Sequence, residues 1–168
     1  FDRSLLSFLQ VDREGNVNVS RLAARPHVTA GAGGFIDITA RARHIVFSGY
    51  LTAGGIDLGL DDGQLRIRKE GRTAKFVPEV EHVTFSGQKA RERGQDVTFV
   101  TERCVLRLMP DGLAVTEIAP GVDLERDVLG QIGFPVRVSP NVRSMDARLF
   151  RPEAMGMSLG ERETARWG

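Results

Sequence analysis

Apolar residues in this chain come in short runs of strand length, each closed by a cluster of turn-forming residues. That rhythm constrains the fold more than any other feature. Ser4 to Val11 is one such run, ended by Asp12-Arg13-Glu14-Gly15-Asn16, a turn by composition. Val17 and Val19 then alternate with Asn16, Asn18 and Ser20, which predicts a second short strand. His44 to Leu51 is another strand-like run, closed by Thr52-Ala53-Gly54-Gly55. Residues 56–60 and 64–68 alternate with period two on either side of Asp61-Asp62-Gly63, a hairpin signal. Extended character continues at 76–78, 83–85, 97–100, 104–108, 113–118 and 136–138.

Helical spacing is scarcer. Phe35, Ile38 and Ala42 predict a short helix opening on Gly31-Ala32-Gly33-Gly34. Residues 124–132 give the clearest helix. Asp123 stands where an N-cap belongs, and Glu125 and Asp127 lie in the first turn, where the helix dipole favours them. Leu124, Val128, Leu129 and Ile132 supply its buried stripe, and Gly133 can stop it. Gln88 to Gly94 reads as a polar turn or a single helical turn. Strands therefore outnumber helices, in an α/β or α+β domain between which periodicity does not choose.

The 168 residues suffice for one domain with a core, and 41% apolar with 27% charged residues is ordinary globular composition. Lys plus Arg is 23 against 22 for Asp plus Glu, and the arginines are scattered among acids. A nucleic-acid partner, which calls for a basic stripe, is not expected. Cys104 is the only cysteine, so no intrachain disulfide can form. No apolar run approaches the ~20 residues that cross a bilayer, so no membrane partner is expected either. The chain opens at Phe1, directly in an apolar-rich stretch, and reads as part of a longer or processed polypeptide. Residues 1–140 form the domain, incomplete on its N-terminal side. Residues 141–168, rich in Arg, Met and Pro, read as an extended tail wrapping a neighbour or lying on the surface.

Gly31-Ala32-Gly33-Gly34 is the most informative local feature for chemistry. Glycines let backbone approach a ligand closely, and free amides at the start of a helix suit a phosphate, a carboxylate or an acyl-transfer oxyanion. A tight turn that binds nothing fits the same residues. The P-loop and dinucleotide patterns do not fit, because Lys-Ser/Thr and the GxGxxG spacing are missing. His27, His44 and His82 lie in separate segments without metal-ligand spacing, and each reads as structural. Cys104, inside an apolar strand, reads as an inert buried thiol. Glu14, Glu70, Glu102, Glu117 and Asp37 lack a second group at diagnostic spacing, so surface or capping roles are expected for them.

In order along the chain, QVDREGNVN (10–18), GAGGFIDITARARHIVFSGYLTAGG (31–55), the 76–108 segment and EIAPGVDLERDVLGQIGF (117–134) resemble the family I coenzyme A transferases. The match covers about residues 5–140 and lies closest to the single-chain acetate/propionate type. The resemblance implies an open α/β domain with a mixed or mostly parallel sheet, the C-terminal one of a duplicated pair. It implies transfer of CoA from a short-chain acyl-CoA to a carboxylic acid through a glutamyl-CoA thioester. The family's nucleophile sits in a Glu-x-Gly-type motif that this chain lacks, so a preceding N-terminal portion is the implied partner and the chain alone is expected to be inactive. Gly31, Ala32, Gly33 and Gly34 match the family's glycine loop beside that glutamate, and Gln10, Asn16 and Asn18 match the same active-site face. The resemblance implies no tightly bound cofactor, coenzyme A thioester as substrate, a homo-oligomer, and a cytoplasmic location. A non-catalytic nucleotide- or anion-binding module and a purely structural subunit are the alternatives.

Overall fold

In the computed structural model, residues 2–24 and 32–157 are described. Six strands form one mixed sheet. Arg3–Ser7 (β1), His44–Ser48 (β4) and Asp96–Val100 (β9) run parallel; Cys104–Met109 (β10) and Gly112–Ile118 (β11) follow antiparallel; Arg137–Ser144 (β12) lies parallel to β11 at the edge. Between these come Gln10–Val11 (β2), which pairs with Val17–Asn18 (β3), and Thr52–Ala53 (β5), which pairs with Thr73–Ala74 (β8). Asp57–Asp61 (β6) and Gln64–Lys69 (β7) form the expected hairpin, with Asp62 and Gly63 at positive φ as its turn requires.

Helix α1, Phe35–Arg41, follows the glycines as the spacing predicts, and α2 spans Gly87–Glu92. Gln95 secures the end of α1 by donating Nε2 to the carbonyls of Thr39 (2.8 Å) and Ala42 (2.7 Å). At the start of α2, a Cβ on Gly87 would collide with the Glu14 carbonyl oxygen. The helix can lie against the 12–16 turn only because that position is bare. No described helix is long and apolar enough to cross a membrane.

The core explains why the strand runs are rich in phenylalanine. Phe47 and Phe99, on adjacent parallel strands, stack with ring centroids 5.3 Å apart, and Phe85 meets Phe47 edge-on at 5.2 Å. Phe8 meets Phe76 edge-on at 5.6 Å, and Phe35 anchors α1 against Phe47.

Three elements depart from expectation. The run 4–11 is two strands, because Phe8 turns into the aromatic core and the Leu9 amide bonds to the Asn18 carbonyl at 2.9 Å. The helix at 124–132 starts at its Asp123 cap, whose side chain accepts from the Arg126 amide, but it is a π-turn over Leu124–Val128 followed by a 3₁₀ turn over Leu129–Gln131. Its irregularity coincides with the Asp127 carbonyl being taken by Arg103 Nη1 at 2.9 Å, an outside donor that competes with the helical ladder. The strand expected at 136–138 runs on through Pro140 to Ser144, and beyond it Met145 and Phe150 are buried against Leu65, Val105 and Ala119.

Candidate functional site

The parallel strands β1, β4 and β9 end side by side, and in open sheets of this kind ligands bind beyond the carboxyl ends of the strands. The chain leaving β1 passes through β2 and β3 into residues 18–24, and the glycine segment follows. Gly31 and His27 lie outside the described residues. Ala32, Gly33 and Gly34 form a turn in which the Ala32 carbonyl accepts from the Phe35 amide at 2.9 Å, with Gly33 at φ +48°. Gly34 opens α1 at φ −75°, and among the described residues no side chain caps the helix there. With only seven residues, α1 has a small dipole. What this turn offers an anion is backbone amides at close approach.

Gln10 and Asn18 come together. Asn18 is fully buried and uses every hydrogen-bonding position it has. Its Nδ2 donates to Gln10 Oε1 (2.8 Å) and to the Arg21 carbonyl (2.6 Å), while Oδ1 accepts from the amides of Ser20 (3.1 Å) and Arg21 (3.2 Å). Gln10 in turn donates to Glu81 Oε1 (2.9 Å) and accepts from the Glu81 amide (3.1 Å). Glu81 accepts from the Ala23 amide through its other oxygen, and Ser20 Oγ meets His82 Nδ1 at 3.0 Å. This cluster pins residues 18–24 from both sides.

Asn16 does not belong to the cluster. Its Oδ1 accepts from the Gly87 amide at the start of α2 (3.0 Å), and its Nδ2 donates to Asp12 Oδ2 (3.0 Å), so both ends are committed to the 12–16 turn and α2.

The carboxylates divide. Glu14 pairs with Arg91 at 3.0 Å and is exposed, and the partly exposed Glu117 pairs with Arg143 at 2.5 Å, both in the surface role expected. Glu70 and Glu102 do not have the surface or capping role expected of them: they flank the fully buried Arg103. Arg103 Nη1 reaches Glu70 Oε2 at 2.7 Å, Nη2 reaches Glu70 Oε1 at 3.0 Å, and Nε reaches Glu102 Oε1 at 2.6 Å. Burial pushes the Glu70 carboxyl up, but the hydrogen bonds from Arg103 and Thr52 outweigh it, and the net position is below the ordinary carboxylate value. A charged pair, Glu102-Arg103, standing between two apolar strand runs was the one sequence signal for this network; its third member, Glu70, is 33 residues from Arg103. Cys104 is buried and its thiol is pushed up to about 12 by burial, as an inert core residue should be.

No family model matches the chain. The acetate CoA-transferase YdiF of Escherichia coli strain K12 is 48% identical over 160 residues, covering 95% of this chain and 30% of the relative. The caffeate CoA-transferase of Acetobacterium woodii is 42% identical over 158 residues, covering 93% of this chain and again 30% of the relative. Among solved structures, the YdiF acyl-CoA transferase apoenzyme from E. coli O157:H7 superposes with a TM-score of 0.89 at 48% identity, over 95% of this chain and 30% of that one.

The chain is a C-terminal-type portion of a family I CoA-transferase.

It spans about 30% of the length of the curated CoA-transferases it matches. The glutaconate CoA-transferase of Acidaminococcus fermentans, 20% identical over 86% of this chain with a TM-score of 0.61, shares the fold. So does the decarboxylase AibA/AibB, 18% identical with a TM-score of 0.61. The CoA-transferase fold therefore does not by itself fix the chemistry, and the residues at the strand ends have to carry that argument.

Proposed function

We propose that the protein containing this chain moves CoA from a short-chain acyl-CoA to a carboxylic acid through a glutamyl-CoA thioester. In this reading the chain supplies CoA and substrate contacts, and the glutamate lies on preceding sequence. The observation that carries the reading is the 0.89 TM-score at 48% identity to a YdiF structure described as a thioester complex with CoA. The carboxylates near the strand ends support it from the other side. Glu70 and Glu102 are held by Arg103, and Glu81 is held by Gln10 and the Ala23 amide, so none is free to attack a thioester. The full protein is read as a cytoplasmic homo-oligomer.

The chemistry is covalent catalysis that divides one exchange into easier steps. A glutamate oxygen attacks the acyl carbon and the C–S bond breaks, giving an acyl-glutamyl anhydride and CoA thiolate. The thiolate then attacks the glutamyl carbonyl and the original acid leaves as carboxylate. Reversal with a second acid completes the transfer. Each step builds negative charge on a carbonyl oxygen, which backbone amides at close range stabilise. We assign that task to the Ala32–Gly34 turn, continuous with Gly31, and the shaping of the approach to Gln10 and Asn18. Asn16, with both its ends occupied, we assign to the turn and α2.

Two outcomes are expected. Incubated with acetyl-CoA, the complete protein should gain the mass of a glutamyl-CoA adduct, located by peptide mapping outside this chain, while the isolated chain gains none. An adduct on a glutamate of this chain, or no adduct at all, would overturn the reading. Second, Gly34→Ala should reduce kcat/KM at least tenfold, about 1.4 kcal/mol of transition-state stabilisation, with Tm unchanged. Gly34 has an ordinary φ, and among the described residues a Cβ there meets only Ile38 Cδ1 at 3.7 Å, so the fold accepts the methyl and the effect reports on ligand space. Gly33 is a poorer probe, because its positive φ alone would strain any side chain. Undiminished activity in Gly34→Ala would reduce the loop to a turn.

A further inference from the structure

One side chain from outside the parallel strands reaches their carboxyl ends. Phe8 follows β1, Gly49 follows β4, and Glu102 stands just beyond β9. Lys75 follows β8 and is tied to this edge by its carbonyl, which accepts from the Val11 amide at 2.8 Å. Its ammonium lies 4.0 Å above the centroid of the Phe8 ring. A Cβ on Gly49 would stand 3.0 Å from Nζ and 3.2 Å from the same ring. The bare Gly49 thus makes room for the ammonium, which a side chain there would push aside.

The charge around Lys75 is spent in an instructive way. Glu102 is the carboxylate whose field it feels, yet both Glu102 oxygens are already taken, one by the Leu51 amide at 2.8 Å and the other by Arg103. Among the described residues Lys75 Nζ has no carboxylate within ion-pair distance and no hydrogen-bond acceptor. Burial pulls its pKa down and Glu102 opposes this, which marks the ammonium as partly desolvated. A cation placed on an aromatic face with three donors unspent can hold an anion that brings its own acceptors.

We propose that Lys75, resting on Phe8 and given room by Gly49, binds the carboxylate of the acid substrate. This rests on the CoA-transferase reading, in which a free carboxylate must enter after the glutamyl-CoA thioester forms. The cation holds one carboxylate oxygen and leaves the other to attack the thioester carbonyl. The acyl-CoA carries no such charge on its acyl group, so Lys75 acts on the free acid as it enters or leaves and not on the acyl-CoA.

The test uses the complete protein, with propionyl-CoA as donor and acetate as acceptor, so that transfer gives a distinct product. Formation of the glutamyl-CoA adduct by the unsubstituted protein comes first. Its absence sinks the CoA-transferase reading itself, whereas the lysine proposal stands or falls on the acetate KM of the variants. Lys75→Met keeps the stem on Phe8 and removes the charge. Its KM for acetate should rise at least tenfold while its KM for propionyl-CoA stays within twofold. Gly49→Ala keeps the lysine but crowds its ammonium off its seat, and should raise the acetate KM in the same direction. An unchanged acetate KM in a folded Lys75→Met protein overturns the proposal and leaves Lys75 as a structural cation. Should Lys75→Met fail to fold, Gly49→Ala decides by the same criterion.

Discussion

Replacing Arg103 with methionine should lower the stability of the fold by about 3–5 kcal/mol, the cost of leaving partly buried carboxylates without their fully buried counter-ion. The side chain is fully buried, and it is the common partner of Glu70, Glu102 and the Asp127 carbonyl. It thereby joins the end of β7, the entry to β10 and the π-turn in one group. Methionine fills the stem but supplies none of the donors, and both carboxylates then have to ionise in a poorly solvated place or take up protons. Arg103→Lys should fall between, because an ammonium keeps the charge but lacks the fork that meets both Glu70 oxygens. The sign of the pH dependence is set by Glu70. Its folded pKa lies below the ordinary value, so its contribution is present above that value and is lost as pH falls through the folded one. Arg103→Met should remove this acid-sensitive part, so that its stability changes less on acidification. Urea denaturation of the complete protein, with amide exchange at Leu51 and Gly71 as local probes, measures both. A loss under about 1 kcal/mol would mean that the ion pairs behave as solvated surface pairs.

What could be read from the sequence was what neighbours decide. The Asp61-Asp62-Gly63 turn fixes its hairpin locally, Asp123 caps its turn through a contact three residues away, and the glycines open α1 where the spacing of Phe35 and Ile38 starts. What could not be read depends on residues brought together across the fold. Gln10 and Glu81 are 71 positions apart, and Arg103 and Glu70 are 33 apart. Period-two alternation placed Asn16 and Asn18 on one face, but Asn16 still belongs to the turn, where Asp12 and the Gly87 amide take its side chain. The edge strand β12 was partly hidden by Pro140, which a central strand would not accept and an outer one tolerates. Of the candidate site, the glycine turn and the Gln10–Asn18 pair were visible as residue types. Lys75 was not, because nothing near it in sequence signals an aromatic ring contributed by Phe8.

The separation of Asn16 from Asn18 leads to a paired prediction. Asn18→Asp is isosteric and keeps the acceptor facing the Ser20 and Arg21 amides, but it replaces two donors by an acceptor that faces Gln10 Oε1 and the Arg21 carbonyl. Turning the Gln10 amide over repairs one contact and breaks two others, since Oε1 would then face Glu81 and the Glu81 amide would lose its acceptor. Every arrangement leaves a buried mismatch, which costs about 1–3 kcal/mol, and more when a charge is involved. That cost falls on residues 18–24, the stretch that leads into the glycine segment. Transfer should therefore drop more than tenfold in kcat/KM, together with a fall in Tm. Asn16→Ala should also lower stability, by about 1 kcal/mol for the loss of its hydrogen bonds to α2 and Asp12, and leave kcat/KM within twofold. Steady-state kinetics and thermal denaturation of the two variants, side by side, separate the roles. If Asn16→Ala loses as much activity as Asn18→Asp, the 12–16 turn belongs to the catalytic face after all, and the division drawn from their hydrogen bonds is wrong.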